Sequence, residues 1–489
     1  MPALERLSST RFWSLYRASR RHGPLSEAEQ LQRLRRLLTR AQRSVPCWRQ
    51  RLADVVAASD DAELKRRFLQ LPVCGKEQLR AGFPDQVTNG DVRHQWRYTH
   101  SAGTVDRMTV VTDFSKRDQT RATNLRVIEL LLGDPLAARI VEMPPHACNV
   151  VCGLRDEGPP DLWPYLRWAV RRGVLLHRDS RPDLRGRIER SLVIRQDTLA
   201  PIEPAGFGAM RDQLDAALDR IAELRPNLLR GLPLFLLWLG QRAEQRSLRF
   251  PGLRAVMPYG GLMSGAMARR ISAALDAPAI DFYGSSEFGA IGIEDRPQDE
   301  VADPARGTLQ VFHDLVLVEV VDDCGQPLPP GRPGRVLVTD YHNAAMPLIR
   351  YEIGDCGQWL DDTSDEGAGY SPDPWLLCRR GRLQILGRWV ERLPLPGGQW
   401  IGARALIDAV LSDPRVVNCS LELRGIEPTP ADTLRLVPAE AHDPAALTET
   451  VRRVELLLQR QVPLRCRIVD HLRPEASGKY RFVRTAGAG

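Results

Sequence analysis

Apolar residues near the start of the chain recur at helical spacing. Leu31, Leu34, Leu37, Leu38 and Ala41 fall on one face of a helix predicted within residues 26–54, and Arg33, Arg35, Arg36 and Arg40 take the other faces. Such a basic amphipathic helix can lie on a membrane surface, but packing the leucines on a core with the basic face in water is the simpler reading. Between 108 and 350 the period changes. Short apolar runs (MTVVT, ARIVEM, AVMPYG, APAIDFYG, TLQVF, LVLVEVVD, GRVLVTD) alternate with helical stretches at 208–224 and 267–275, which predicts α/β architecture. The segment 401–489 reads as a small α+β unit, with helices near 403–411 and 444–459 and strands near 416–423 and 433–437. The chain therefore divides into a large α/β domain at 1–386 and a small α+β domain at 387–489. No internal repeat is present, and only 362–374 has linker-like composition.

Composition changes this picture little. With 489 residues, 43% hydrophobic and 26% charged, the chain can bury large cores and is expected to fold throughout. Its 68 Lys+Arg against 61 Asp+Glu leave +7, which points to anionic partners. Basic residues are interleaved with acidic ones and no aromatic-basic platform recurs, so no nucleic-acid partner is expected. Nine cysteines without a CxxC pair fit a reducing, cytoplasmic setting. The longest strongly apolar run, 232–239, is far below the roughly 20 residues that span a bilayer, so no membrane span is expected.

Candidate chemistry is concentrated in five stretches. In 341–357, YHNAAMPLIRYEIGDCG, each polar member is a candidate nucleotide contact among strand-forming residues, and an apolar strand ending in Gly354-Asp355 offers two acceptor oxygens to a vicinal diol such as a ribose. YTHSAGTVDR at 98–107 sets hydroxyls beside a flexible glycine, and Ser101, Gly103 and Thr104 suit a loop whose backbone N–H groups approach a phosphate. FYGSSEFG at 282–289 closes a strand with an aromatic, a glycine, two hydroxyls and a carboxylate. GRWVER at 387–392 and SGKYR at 477–481 complete the set, and Gly260 and Gly261 form a further turn where backbone can approach a ligand closely.

Taken in chain order, these segments resemble the adenylate-forming (acyl-AMP-forming) ligase superfamily, and within it the phenylacetate-CoA ligase group and its relatives in capsule and secondary-metabolite biosynthesis. The resemblance implies ATP-dependent activation of a carboxylic acid, aryl or arylacetic, as acyl-AMP with release of pyrophosphate, then transfer to an acceptor. CoA is the expected acceptor, with a carrier-protein thiol or an amine as alternatives. It further implies that the small C-terminal domain is mobile, rotating between the two steps about a hinge near Arg388, and it allows a homodimer. By the same resemblance Tyr283 packs on adenine, Ser286 contacts the α-phosphate with Gly284 and Ser285 beside it, and Glu287 binds Mg²⁺. Asp355 and Arg388 hold the ribose, and Lys479 is the catalytic lysine. The chain departs from the family pattern at Asp106, Leu262 and Val390, and a degenerate ligase kept as a binding or scaffold protein is the competing reading.

Overall fold

The computed structural model describes residues 10–21, 25–90, 97–100, 108–143, 195–294, 307–360, 372–425, 429, 431–440, 444–475 and 478–485. Its first long helix, Glu27–Ser44, starts at a capping box: the Ser26 hydroxyl accepts from the Glu29 N–H, and the Glu29 carboxylate accepts from the Ser26 N–H at 2.8 Å. Leu31, Leu34, Leu37, Leu38 and Ala41 are buried, as the spacing predicts, and Arg36 and Arg40 remain exposed.

Two sheets carry the large domain. One has four parallel strands in the order Arg195–Thr198, Arg139–Met143, Leu228–Gly231, Ala255–Pro258. The helices Arg211–Leu224 and Pro233–Gln245 connect successive strands, which gives the βαβ arrangement expected of alternating elements. The apolar run at 232–239 belongs to the second of these helices, buried on nearly every side rather than on one stripe. The other sheet has seven antiparallel strands in the order Val316–Val321, Gly334–Asp340, Tyr351–Leu360, Arg382–Arg388, Leu309–Val311, Gly289–Glu294, Phe282–Ser285. Its inner residues share a core with the leucines of the 27–44 helix.

The C-terminal segment forms a four-stranded sheet ordered Arg465–Ile468, Thr433–Pro438, Val416–Leu423, Val483–Thr485, with the helices Ala403–Leu411 and Thr448–Leu457. The helix expected near 444–459 begins as a 3₁₀ turn at Pro444–Leu447. This unit shares an apolar core with the helices of the parallel sheet. Polar groups pin the contact: the Trp238 indole donates to the Val417 carbonyl at 2.9 Å, and the Arg270 guanidinium donates to the Val416 carbonyl at 2.7 Å. Among the described residues no helix is long and apolar enough to cross a membrane, and the seven described cysteines are unpaired.

Candidate active site

The centre of the site is a strand pair. Asp355 and Arg388 are ladder partners in the antiparallel strands Tyr351–Leu360 and Arg382–Arg388, so their side chains leave the same side of the sheet. Arg388 Nη1 lies 3.2 Å from one Asp355 oxygen. The Tyr283 hydroxyl donates to the other at 2.7 Å. Tyr283 stands on an edge strand four positions away in the sheet order, about 19 Å if the sheet were flat. The contact therefore requires the sheet to curl strongly, and that curl is what assembles the site. Burial, with the Asp355 charge next, pushes the Tyr283 phenol well above its usual range, so it stays a donor. The Asp355 charge holds the Arg388 guanidinium still more firmly protonated.

Gly387 lets the strand place Arg388 here. Its φ is +135°, and a β-carbon would meet Ala403 at 3.3 Å and the Leu262 side chain at 3.4 Å. Leu262 stands where the resemblance leads one to expect an acid, and its contact is apolar packing at the junction of the two cores. Gly260 (φ +74°) and the exposed Gly261 form the turn just before it, and Tyr259 ahead of them donates to the Glu142 carboxylate at 2.6 Å.

The hairpin Phe282–Ser285 to Gly289–Glu294 supplies the second group. Gly284 is required sterically, since a β-carbon there would sit 2.4 Å from the Gly289 carbonyl oxygen. In the turn, Ser285 Oγ accepts from the Phe288 N–H at 3.3 Å, and the exposed Ser286 hydroxyl donates to the Glu287 carboxylate at 3.1 Å. Glu287 is buried at 5% exposure and makes no ion pair within 4 Å among the described residues. Its charge is felt by Tyr283, Arg388 and Tyr351. Glu287 and Asp355 thus belong to one polar cluster rather than two.

Lys479 is half-buried on a turn closed by the Gly478 N–H on the Glu475 carbonyl and the Glu475 N–H on the Lys479 carbonyl, both at 2.8 Å. Two neighbours anchor that turn. The Tyr480 ring meets Trp238 edge-on at 5.7 Å, and the Phe482 N–H donates to the buried Glu391 carboxylate at 3.4 Å. Glu391 lies three residues after Arg388, so the lysine turn and the strand end are tied together. Burial pushes the Glu391 carboxyl up to about 7, against the opposing pull of Arg388. Ser101, Gly103 and Thr104 lie outside the described residues.

Five polar members of 341–357 are placed away from this cluster: Tyr341 and His342 line a separate cleft, Asn343 is buried and donates to the Val111 carbonyl at 2.9 Å, and Arg350 and Glu352 are spent on other partners. Arg350 is 1% exposed, adopts φ +46°, and spends its guanidinium on Glu319 at 3.0 Å and on the carbonyls of Leu69, Leu71 and Gly325. Glu352 pairs with Arg335 at 3.0 Å. A buried guanidinium must satisfy its donors internally, which leaves none for a ligand. Tyr351 of the same run stands beside Glu287, and Glu391 is the neighbour that motif reading missed. Tyr351 and Asp355 share an even spacing in one strand, whereas Glu391 takes a bond from the distant Phe482 N–H that no local pattern signals.

The fold is shared with a solved CoA ligase. A 2-hydroxyisobutyryl-CoA ligase solved in its postadenylation state with 2-HIB-AMP superposes with a TM-score of 0.65 over 94% of this chain and 90% of that one, at 19% identity. In sequence the chain is similar to phenylacetate-coenzyme A ligases. Residues 204–346 match the family model described as AMP-binding enzyme, a segment that includes Gly260, Gly261 and Tyr283 to Glu287. The phenylacetate-coenzyme A ligase of Pseudomonas putida is 23% identical over 342 residues, 68% of this chain and 67% of that protein. That of Thermus thermophilus is 28% identical over 138 residues, 28% of this chain and 30% of that protein.

Proposed function

We propose that the chain joins a carboxylic acid to the α-phosphate of ATP, expelling pyrophosphate, and then passes the acyl group to the thiol of CoA. In the first step a carboxylate oxygen attacks the α-phosphorus and the bond to pyrophosphate breaks. In the second the thiol sulfur attacks the acyl carbonyl and AMP leaves. An aryl or arylacetic acid suits the phenylacetate-CoA ligase likeness. The observation that carries the reading is the Asp355 carboxylate, held on one oxygen by Tyr283 and on the other by Arg388. A carboxylate fixed at both oxygens is aimed before a ligand arrives, and its remaining lone pairs can accept from the two hydroxyls of a ribose without reorganisation.

In this reading Tyr283 packs on adenine and Ser286 meets the α-phosphate. Arg388 shares the ribose with Asp355, and the Lys479 ammonium offsets charge that builds on the α-phosphate. Glu287 would hold Mg²⁺. A buried carboxylate flanked by the Ser286 and Tyr351 hydroxyls and lacking a cationic partner within 4 Å among the described residues offers the hard oxygen donors that the ion takes. When bound, the ion would neutralise charge on the phosphates. The Leu262 contact with Gly387 accounts for one departure from the family pattern by packing, which weakens the degenerate-scaffold reading.

ATP–pyrophosphate exchange across a panel of carboxylic acids tests the proposal, followed by acceptor trials with CoA, a carrier-protein thiol and amines. Lys479→Ala is expected to lower exchange by about 10²–10³ while sparing reaction of preformed acyl-AMP with the acceptor. Nucleotide binding with no exchange on any acid would favour the scaffold.

A further inference from the structure

A large cleft among the described residues lies apart from the site above. It measures about 1390 Å³ and opens between the 27–44 helix, the helix Phe114–Leu132, the segment after Leu309–Val311 and the end of the helix Pro374–Arg380. Arg382, on its rim, begins the strand that Arg388 ends. Six residue steps separate the two, about 20 Å along the strand. The cleft and the Asp355 centre therefore occupy opposite ends of one strand.

The lining of the cleft is strongly basic. Nine arginines and one carboxylate, Asp314, line it, and just outside the lining Asp61 pairs with Arg35 at 3.2 Å and Glu27 with Arg379 at 3.4 Å. Four of the arginines, Arg33, Arg36, Arg40 and Arg43, recur at i, i+3, i+7 and i+10 on the 27–44 helix, which sets them on one stripe. Arg36, Arg40 and Arg43 are exposed and make no ion pair with any described residue. Asp314 is already engaged by Arg126 at 3.1 Å. On the opposite wall Arg379 Nη1 is shut from solvent with no hydrogen-bond partner among the described residues. His313 is pulled below its usual range by burial first, with Asp314 opposing and Arg126 and Arg379 adding to the fall.

The uncompensated charges of Arg36, Arg40 and Arg43 beside a concave space raise the local potential and concentrate counter-ions. A row of guanidiniums presents paired N–H donors suited to phosphate oxygens. The volume exceeds the 300–1,000 Å³ of ordinary small-ligand pockets and admits a nucleotide-sized group. No aromatic stacking ladder accompanies the arginines, which argues against a single-stranded nucleic acid. We propose that this cleft is a second anion site that takes a soluble ligand bearing two or more linked phosphates. The ligand is either the phosphorylated nucleotide head of a CoA-type molecule or a free polyphosphate or nucleoside polyphosphate. The inference does not rest on the adenylation reading, because binding is measured without turnover.

The test is calorimetric titration of the full chain with sodium tripolyphosphate at low ionic strength. The combined variant Arg36→Gln, Arg40→Gln, Arg43→Gln is expected to bind about tenfold or more weakly, with an unchanged melting curve because the three side chains are exposed. Arg40→Gln alone should lose about threefold and guards against misfolding of the triple variant. Asp355→Asn, at the other end of the strand, should leave tripolyphosphate binding unchanged. Displacement of tripolyphosphate by CoA assigns the CoA-type head, and binding without displacement assigns a free polyphosphate. Wild-type affinity in the triple variant, loss of binding in Asp355→Asn, or tighter binding of a single-stranded oligonucleotide than of tripolyphosphate would each overturn the proposal.

Discussion

At one end of the strand Arg382–Arg388 the arginine is locked to a carboxylate, and near the other three exposed arginines of one helix stand without an acidic partner among the described residues. Arg388 is locked to Asp355, which is locked to Tyr283. Behind them Arg350 is locked to Glu319 and three carbonyls. Across the basic cleft the exposed stripe of Arg36, Arg40 and Arg43 has no acidic partner among the described residues. The two ends show two uses of one side chain. A paired guanidinium holds other atoms in place, so its loss damages geometry and stability, whereas an unpaired one acts through the field it adds and is dispensable to the fold.

The contrast breaks most visibly at Arg350. Arg350→Met leaves the fully buried Glu319 without a counter-charge and is expected to cost about 3–5 kcal/mol, read from the urea midpoint. A loss below about 1 kcal/mol would mean that the pair is not a structural strut. Next comes Asp355→Asn, which removes the charge that orders Arg388. Exchange of pyrophosphate into ATP should fall by about 10²–10³ with little change in melting temperature. Full exchange activity in that variant would remove Asp355 from the nucleotide site.

Glu391 gives a pH-dependent test of the junction. Its folded pKa, about 7, is raised above the unfolded value, so the folded protein holds a proton the unfolded chain releases. Stability contributed by the neutral form is present below the ordinary glutamate range and is lost as pH rises through about 7. Glu391→Gln should therefore stabilise the chain at pH 8, by no more than about 3 kcal/mol, and be neutral at pH 4. The reverse pH dependence in thermal melts would contradict the burial argument. Smaller still, Tyr283→Phe removes one donor from Asp355 and should slow exchange about tenfold, with the effect in the KM for ATP. Smallest is Arg40→Gln, expected to move the urea midpoint by less than about 0.5 kcal/mol. A larger shift would place Arg40 in the fold rather than in the cleft.

Motif reading and geometry part company at identifiable residues. Asp355 and Arg388 stand out in sequence because a glycine precedes each, and the ladder sets them opposite one another. Arg350, in the same run and equally polar, could not be told apart from them. What separates it is its contact with Glu319 and with carbonyls of the 69–71 segment, far away in sequence. The basic helix face was legible as a face, since Arg33, Arg36 and Arg40 fall where helical period puts them. That it borders a cleft was not, because the opposite wall comes from residues 126, 313–314 and 379–382.

By itself the sequence determined what depends on nearest neighbours along the chain. Helix and strand periods, the capping box at Ser26, the glycine turns at 260–261 and 284 and the alternation that makes an α/β domain all follow from local sterics and from which residues avoid water. Tertiary structure alone decided which charges meet. The curl of the seven-stranded sheet brings Tyr283 to Asp355 across four strands, the return of the last segment brings the Phe482 N–H to Glu391, and the distant strut of Glu319 takes Arg350 out of the site. Pairing of charges is a long-range property, since its energy depends on burial and on distances that no local pattern encodes.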